Sequence, residues 1–243
     1  MHPILFSIGI FTVYSFGTLL AVGTLFAVWV LFRDTRRNGR NPAPLLDLGT
    51  GLLLSGLLGA RLLYVFLHLE EYLRDPLEIF RFQHGGLVFY GGLAAALLFA
   101  WSFIQRKALP LRQTLDEIAP YALLVQAFGR IGCFLNGCCY GKPTLSWWGI
   151  LFPGRPVRLH PTQLYESFFL LVLFMVFRAL ARKRSLPVGG LFALYLFSYG
   201  LLRFVVEFFR GDQEVLSGGL TLPQWMSLCL MLFSLMLWRR GRA

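Results

Sequence analysis

The sequence predicts an all-α fold: a polytopic bundle of seven transmembrane helices, with the N-terminus outside and the C-terminus in the cytoplasm. Three observations predict it. Of 243 residues, 56% are hydrophobic, 16% aromatic and only 14% charged, far from the usage of an average soluble domain. Apolar stretches recur at lengths that match a hydrocarbon core of about 30 Å. Basic residues gather in alternate connections, as expected when helix ends fall by turns on the two sides of a membrane.

Residues 1–32 contain no Asp, Glu, Lys or Arg. This run is longer than the apolar core of a signal peptide and lacks a basic start, so it is expected to remain as the first span. Six further stretches follow, at 45–68, 84–104, 114–138, 162–180, 188–209 and 220–238. Between the second and third spans, "EEYLRDPLEIFRFQ" at 70–83 alternates acidic and apolar residues, like a short amphipathic helix on the outer surface. Between the fourth and fifth, residues 140–161 hold four prolines and the pair Trp147-Trp148, and a lid or interfacial segment is expected there. The chain has no tandem repeat, low-complexity tract or inverted duplication, so one domain over 1–243 is expected.

The connections read as cytoplasmic carry Arg33, Arg36, Arg37 and Arg40; Arg106, Lys107 and Arg112; Arg178, Arg182, Lys183 and Arg184; and Arg239, Arg240 and Arg242. In the others, Arg74, Arg81, Lys142, Arg155, Arg158 and Arg210 are diluted by Glu70, Glu71, Asp75, Glu78, Asp212 and Glu214. The net charge of +11 therefore reports orientation, and no nucleic-acid partner is expected. Cys133, Cys138 and Cys139 cluster while Cys229 stands alone in the last span. They lack the paired spacing of a zinc site, so no metal is expected. Three small buried thiols are the expected state, with a disulfide in an oxidising periplasm as the alternative.

This topology gives each ionisable residue a depth. Arg61 falls in the outer half of its helix and His84 at the outer boundary of the next. Arg130 is carried to the same level; His160 and Pro161 precede Gln163 and Glu166; and the sixth helix ends on Arg203, Glu207 and Arg210. Only Asp47 lies near an inner end. Arg203 and Glu207 are four residues apart, on one face with Tyr199 and Gly200, while Gln126, Arg130, Cys133 and Gly137 share a stripe of theirs. One reading is that Arg61, Arg130 and Arg203 pair with Glu166 and Glu207 to hold the bundle. Three arginines meet two glutamates, however, with His84 and His160 beside them. An anion is missing, and a phospholipid phosphate supplies it. Arginine suits the task because its planar fork donates two parallel bonds and keeps its charge. The pairs Gly85-Gly86 and Gly91-Gly92 fit backbone that passes close to a ligand or to another helix.

These residues resemble a known family, the bacterial prolipoprotein diacylglyceryl transferases. "HGGLVFYGG" at 84–92 is similar to the family's HGG motif, and "GRIGCFLNGCCYG" at 129–141 to its GRxGNFxNxExxG signature. "HPTQLYE" at 160–166 is similar to its HPxQLYE segment, and "RFVVEFFR" at 203–210 to its closing Arg-Glu motif; "GARLLYVF" at 59–66 also fits. The resemblance implies transfer of a diacylglyceryl group from phosphatidylglycerol to the lipobox cysteine of a prolipoprotein signal peptide, with release of glycerol phosphate. The implied place is the outer, periplasmic face of the bacterial inner membrane, with no metal or diffusible cofactor. It implies His84 as the base and Arg130 and Arg203 as the groups that hold the phosphate. Glu207 would orient Arg203, and Glu166 would orient Arg130 or Arg61. Asn136 and Gly141 match signature positions and join Arg61, Gly85, Gly86 and Tyr14 as substrate-binding candidates. The sequence departs from the pattern at Cys133, where the signature has its first Asn, and at Cys138, where many members have Glu. The tyrosine-glycine pair of the first helix is here Phe16-Gly17, with Tyr14 two residues earlier.

Two alternatives accompany this reading. One is a relative that moves a phospholipid fragment to another acceptor. The other is a lipid or organic-anion transporter, which would place polar groups near the midplane and toward both sides, whereas the inner half here offers almost only Asp47.

Overall fold

The computed structural model describes residues 1–8, 11–81, 85–183, 185–211, 213 and 215–240. His84, the candidate base, lies outside them. The fold is helical, as expected. Among the described residues seven helices have 18 residues or more: α1 (Ser15–Arg37), α2 (Ala43–Leu67), α4 (Phe89–Arg106), α5 (Leu111–Asn136), α6 (Thr162–Lys183), α7 (Gly190–Glu207) and α8 (Leu222–Arg240). A six-residue helix, α3 (Leu69–Arg74), and a 3-10 turn at Pro76–Phe80 occupy the stretch read as amphipathic.

Five of the long helices, α1, α2, α5, α6 and α7, are long and apolar enough to cross a membrane. The sequence led us to expect seven. The other two, α4 and α8, are 18 and 19 residues long and end on Gln105-Arg106 and Arg239-Arg240, which dilutes their apolar stretch. The first span also starts later than expected. Residues Ile4–Ile8 (β1) and Phe11–Tyr14 (β2) pair antiparallel, and only at Ser15 does α1 begin. The β-branched and aromatic residues of "ILFSI" and "FTVY" favour that extended pairing.

The chain divides into two compact units, residues 1–31 with 112–243, and residues 32–111. In the second unit α2 and α4 pack closely through small residues. A Cβ on Gly59 would strike the Ala95 side chain and the Gly91 carbonyl, and one on Gly92 would come within 2.8 Å of the Gly56 carbonyl. Gly91 and Gly92 thus serve helix packing. Val88 N–H donates to the Ala60 carbonyl at 3.0 Å and fixes the start of α4.

The first unit is built on α5, α6, α7 and α8. Its core holds Leu123, Leu124 and Ala127 of α5, Leu170, Phe174 and Phe177 of α6, and Leu191 of α7, with Ala27 and Val30 of α1. The Ser167 hydroxyl donates to the Ala127 carbonyl at 3.0 Å. At Gly200 a Cβ would meet Ser227 and Met231 of α8 at about 3 Å, so α7 and α8 depend on that glycine to approach. Two caps set helix starts. The Asp116 carboxylate of α5 accepts from the N–H groups of Gly189 and Phe192 at 2.6 and 2.7 Å and caps α7 from a neighbouring helix. Thr221 precedes α8, and Gln224 reaches back to its N–H at 2.9 Å as in a capping box.

Residues 140–161 are ordered at their base. Gly141 bridges to Arg210 and Pro143 to Leu159, and β3 (Ile150–Leu151) pairs with β4 (Arg158–Leu159). Phe152 is fully buried against Phe134 and Tyr140, while Leu145, Trp147 and Trp148 stand exposed.

Candidate functional site

In the first unit α5 and α7 end where α6 and α8 begin, and this meeting of helix ends gathers the ionisable residues. Arg130 stands six residues before the end of α5. Glu166 lies in the first turns of α6, where the helix dipole favours a carboxylate. Arg203 and Glu207 close α7. Glu166 is 2% exposed and sits between two guanidiniums. Arg130 Nη2 lies 3.0 Å from its Oε1 and Arg203 Nη1 3.9 Å from its Oε2. Arg203 Nη2 pairs with Glu207 Oε2 at 2.8 Å, the contact that the four-residue spacing predicts. Glu207 also meets Arg210 Nε at 3.8 Å and accepts from the Thr221 hydroxyl at 3.0 Å.

Among the described residues this network sets three guanidiniums against two carboxylates. The two guanidiniums beside Glu166 are not saturated alike. Arg203 Nη1 has no hydrogen-bond partner among the described residues. Arg130 turns one nitrogen, Nη2, to Glu166, and 21% of its side chain is accessible. Such an arrangement can take an anion: Glu166 faces both forks, and Arg130 reaches the surface of the site.

The sequence anticipated Arg130, Glu166, Arg203 and Glu207 as a group, and these four come together. Thr221 and Gln224 escaped notice, although T-x-x-Q before an apolar run is a capping-box signal. Gln126 shares the Arg130 stripe but donates to the Tyr195 hydroxyl at 2.9 Å, tying α5 to α7.

Other expected site residues have different tasks. Arg61, in the second unit, is 3% exposed, and carbonyls meet its whole fork. Nε donates to Ile79 at 3.0 Å, Nη1 to Gly85 and Gly86 at 2.5 and 3.2 Å, and Nη2 to Glu78 and Arg81 at 2.5 and 3.3 Å. Five donors face five acceptors, and the guanidinium also lies over the Tyr72 ring. Arg61 therefore clamps residues 78–81 and 85–86 with its whole fork. Gly85 and Gly86 take left-handed backbone, φ 81° and 77°, which turns their carbonyls toward it. A Cβ on Gly86 would lie 2.6 Å from Tyr64 and 2.7 Å from Arg61, so these glycines serve the clamp.

Gly141 likewise has a packing role. Its N–H donates to the His160 carbonyl at 2.8 Å, and a Cβ would strike the Phe209 carbonyl oxygen and come within 2.7 Å of His160. Asn136 ends α5 exposed, with its side chain toward the Cys138 thiol. Tyr14 ends β2 with its side chain exposed, and Phe16 packs against Gly132. The His160 ring stacks edgewise on Tyr165 and Phe209, its Nδ1 3.1 Å from the Tyr165 hydroxyl.

The three clustered cysteines are free thiols, as expected, but only half-buried. The sulfurs of Cys133, Cys138 and Cys139 all lie within 4.8 Å of one another. Helix α5 ends in a Schellman motif: Gly137 (φ 75°) donates to the Phe134 carbonyl at 3.1 Å, and Cys138 to the Cys133 carbonyl at 3.2 Å. That motif brings the side chains of its third-last and second-following residues into contact, and here both are cysteines. Cys139 follows with φ 65°, a left-handed conformation that costs a non-glycine residue about 1–3 kcal/mol. Contacts with the Cys133 and Cys138 thiols, aided by the charges of Arg210 and Arg130, hold its thiol below the ordinary range. The exposed Cys229 lies on α8.

Comparison with known proteins bears on all of this. A family model described as prolipoprotein diacylglyceryl transferase matches residues 3–240. A phosphatidylglycerol–prolipoprotein diacylglyceryl transferase of Clostridium tetani is 34% identical over 235 residues, covering 94% of this chain and 93% of the relative. The protein of the same name from Pseudoalteromonas atlantica is 38% identical over 220 residues, 88% of this chain and 78% of its own. That from Geobacter sulfurreducens is 34% identical over 243 residues, 97% and 93% of the two chains.

Proposed function

Because the chain belongs to the prolipoprotein diacylglyceryl transferase family, we propose that it moves the diacylglyceryl group of phosphatidylglycerol to the thiol of a lipobox cysteine in a prolipoprotein signal peptide. Glycerol phosphate is the second product. The chain is a transferase and a multi-pass membrane protein. The observation that carries the site assignment is Glu166, a buried carboxylate flanked by two guanidiniums, of which Arg203 keeps Nη1 without a hydrogen bond and Arg130 keeps part of its side chain accessible.

In the step, the cysteine sulfur bonds to the glyceryl carbon that carries the phosphate, and the carbon–oxygen bond to that phosphate breaks. The oxygen leaves with the electron pair as glycerol phosphate, and the thiol proton passes to a base. Arg130 and Arg203 bind the phosphate and stabilise the charge that grows on the leaving oxygen. One such preorganised donor is worth about 3 kcal/mol, roughly a hundredfold in rate. Glu166 and Glu207 hold the two forks in register. His84 is assigned as the base through the family's HGG motif. A free thiol with a pKa near 8.5 is mostly protonated at neutral pH, which is why a base is needed.

Seven spans with the N-terminus outside are part of the same reading. Four helices, α1, α4, α6 and α8, end on basic residues, and these are alternate members of the seven long helices. The positive-inside rule sets those ends in the cytoplasm and the Arg130 site at the periplasmic face of the inner membrane. Residues 140–161 then serve as an interfacial segment, with Trp147 and Trp148 at headgroup level.

The test is intact-mass analysis of a synthetic lipobox peptide incubated with the purified protein and phosphatidylglycerol, beside a peptide whose cysteine is alanine. We expect a diacylglyceryl mass increase on the cysteine peptide alone and matching release of glycerol phosphate. No increase, with an active relative as positive control, would overturn the proposal.

A further inference from the structure

The thiol cluster at the end of α5 is not used in the transfer step, and its geometry is that of a ligand set. We propose that Cys133, Cys138 and Cys139 form a three-thiolate site for a thiophilic d10 metal ion, Zn2+ or Cu+.

Three features of the backbone support it. The sulfurs already lie within 4.8 Å of one another, with Cys138 and Cys139 at 3.6 Å. Thiolates bound tetrahedrally at about 2.3 Å from a metal stand about 3.8 Å apart, so closure requires shifts of roughly an ångström at most. The turn that carries them is anchored from α6. The Thr162 hydroxyl donates to the Cys139 carbonyl at 2.8 Å, and the Gln163 side chain to the Cys138 carbonyl. Cys139 occupies left-handed backbone where glycine would sit without strain, as Gly137 does two residues earlier. A thiol used only to fill space does not need that position, whereas a third ligand does.

Exposure and charge agree. All three cysteines are half-buried, which leaves a path for an ion, unlike a sealed core. Three thiolates carry more negative charge than either ion neutralises, and the Arg130 and Arg210 guanidiniums supply positive charge to Cys139. Soft sulfur ligands select Zn2+ and Cu+ over oxygen-seeking ions such as Mg2+. A three-coordinate site suits Cu+ directly and leaves Zn2+ a fourth, exchangeable position.

The full-length protein, purified in detergent and made metal-free under anaerobic reducing conditions, is titrated with Zn2+ and with Cu+ against chromophoric chelators. One equivalent of at least one ion is expected to bind, and binding should persist in Cys229→Ser. The Cys139→Gly variant relieves the left-handed strain and should melt no lower than wild type. It should bind at least tenfold more weakly. Titration of wild type with Co2+ gives an independent readout, because a sulfur-to-cobalt charge-transfer band scales with the number of thiolates, here three. Equal affinity in wild type and Cys139→Gly, loss of binding in Cys229→Ser, or a Co2+ complex without the thiolate band would each overturn the site. So would a disulfide among the three cysteines in protein isolated anaerobically without oxidant.

Discussion

Glu166 concentrates the physical logic of the site. A carboxylate 2% exposed is tolerable only where cations compensate it, and Arg130 and Arg203 do so from two other helices. Glu166→Gln keeps the shape and removes the charge, leaving two largely buried guanidiniums in repulsion. Loss of one member of a buried ion group costs about 3–5 kcal/mol, so thermal unfolding in detergent should shift down by several degrees, with transfer lost. An unchanged midpoint would mean that Glu166 does not hold the forks. The pairing of Arg203 with Glu207 was readable from a four-residue interval, because helix geometry makes such residues neighbours. The fate of Arg61 was not. Its partners are carbonyls of a loop turned by Gly85 and Gly86, and carbonyl direction has no signature in residue type.

Helix ends show the same division. The start of α8 is written in Thr221 and Gln224, a local cap that sequence spacing reveals. The start of α7 is not, since its cap is Asp116 on α5, more than seventy residues away. Asp116→Ala should remove both bonds and destabilise the first unit by about 1–2 kcal/mol. Hydrogen exchange should show the loss first at Gly189–Phe192, and unaltered protection there would contradict the capping role. The cysteines cluster plainly in the sequence, but the mutual contact of their sulfurs was hidden for a related reason. Spacing rules look for paired CxxC, whereas a Schellman turn joins residues five apart and then presents the next one. The pairing of β1 with β2 was hidden by composition, because an uncharged apolar stretch reads as span whether its backbone is extended or helical.

At the scale of the whole chain, hydropathy and charge carried most of the fold. The long helices follow the apolar stretches, and their number differs from the number of clear spans only where polar ends shorten α4 and α8. Orientation is open to direct measurement. In a variant with its four cysteines replaced, Ser146→Cys in the 140–161 segment should react with a membrane-impermeant thiol reagent in intact spheroplasts, while Asn38→Cys after α1 should react only after lysis. The opposite pattern would invert the topology. The family was legible because motifs from several helices occur in order, although among the described residues four of the site candidates, Arg130, Glu166, Arg203 and Glu207, meet in one network. On the proposed function, Arg130 is drawn largely out of solvent beside Glu166 in order to hold a phosphate. The most direct test is the rate of diacylglyceryl transfer to the lipobox peptide by Arg130→Ala, with membrane insertion and melting measured alongside. A loss of at least a hundredfold is expected in a protein that still inserts and folds; near-normal turnover would rule out the phosphate role of Arg130.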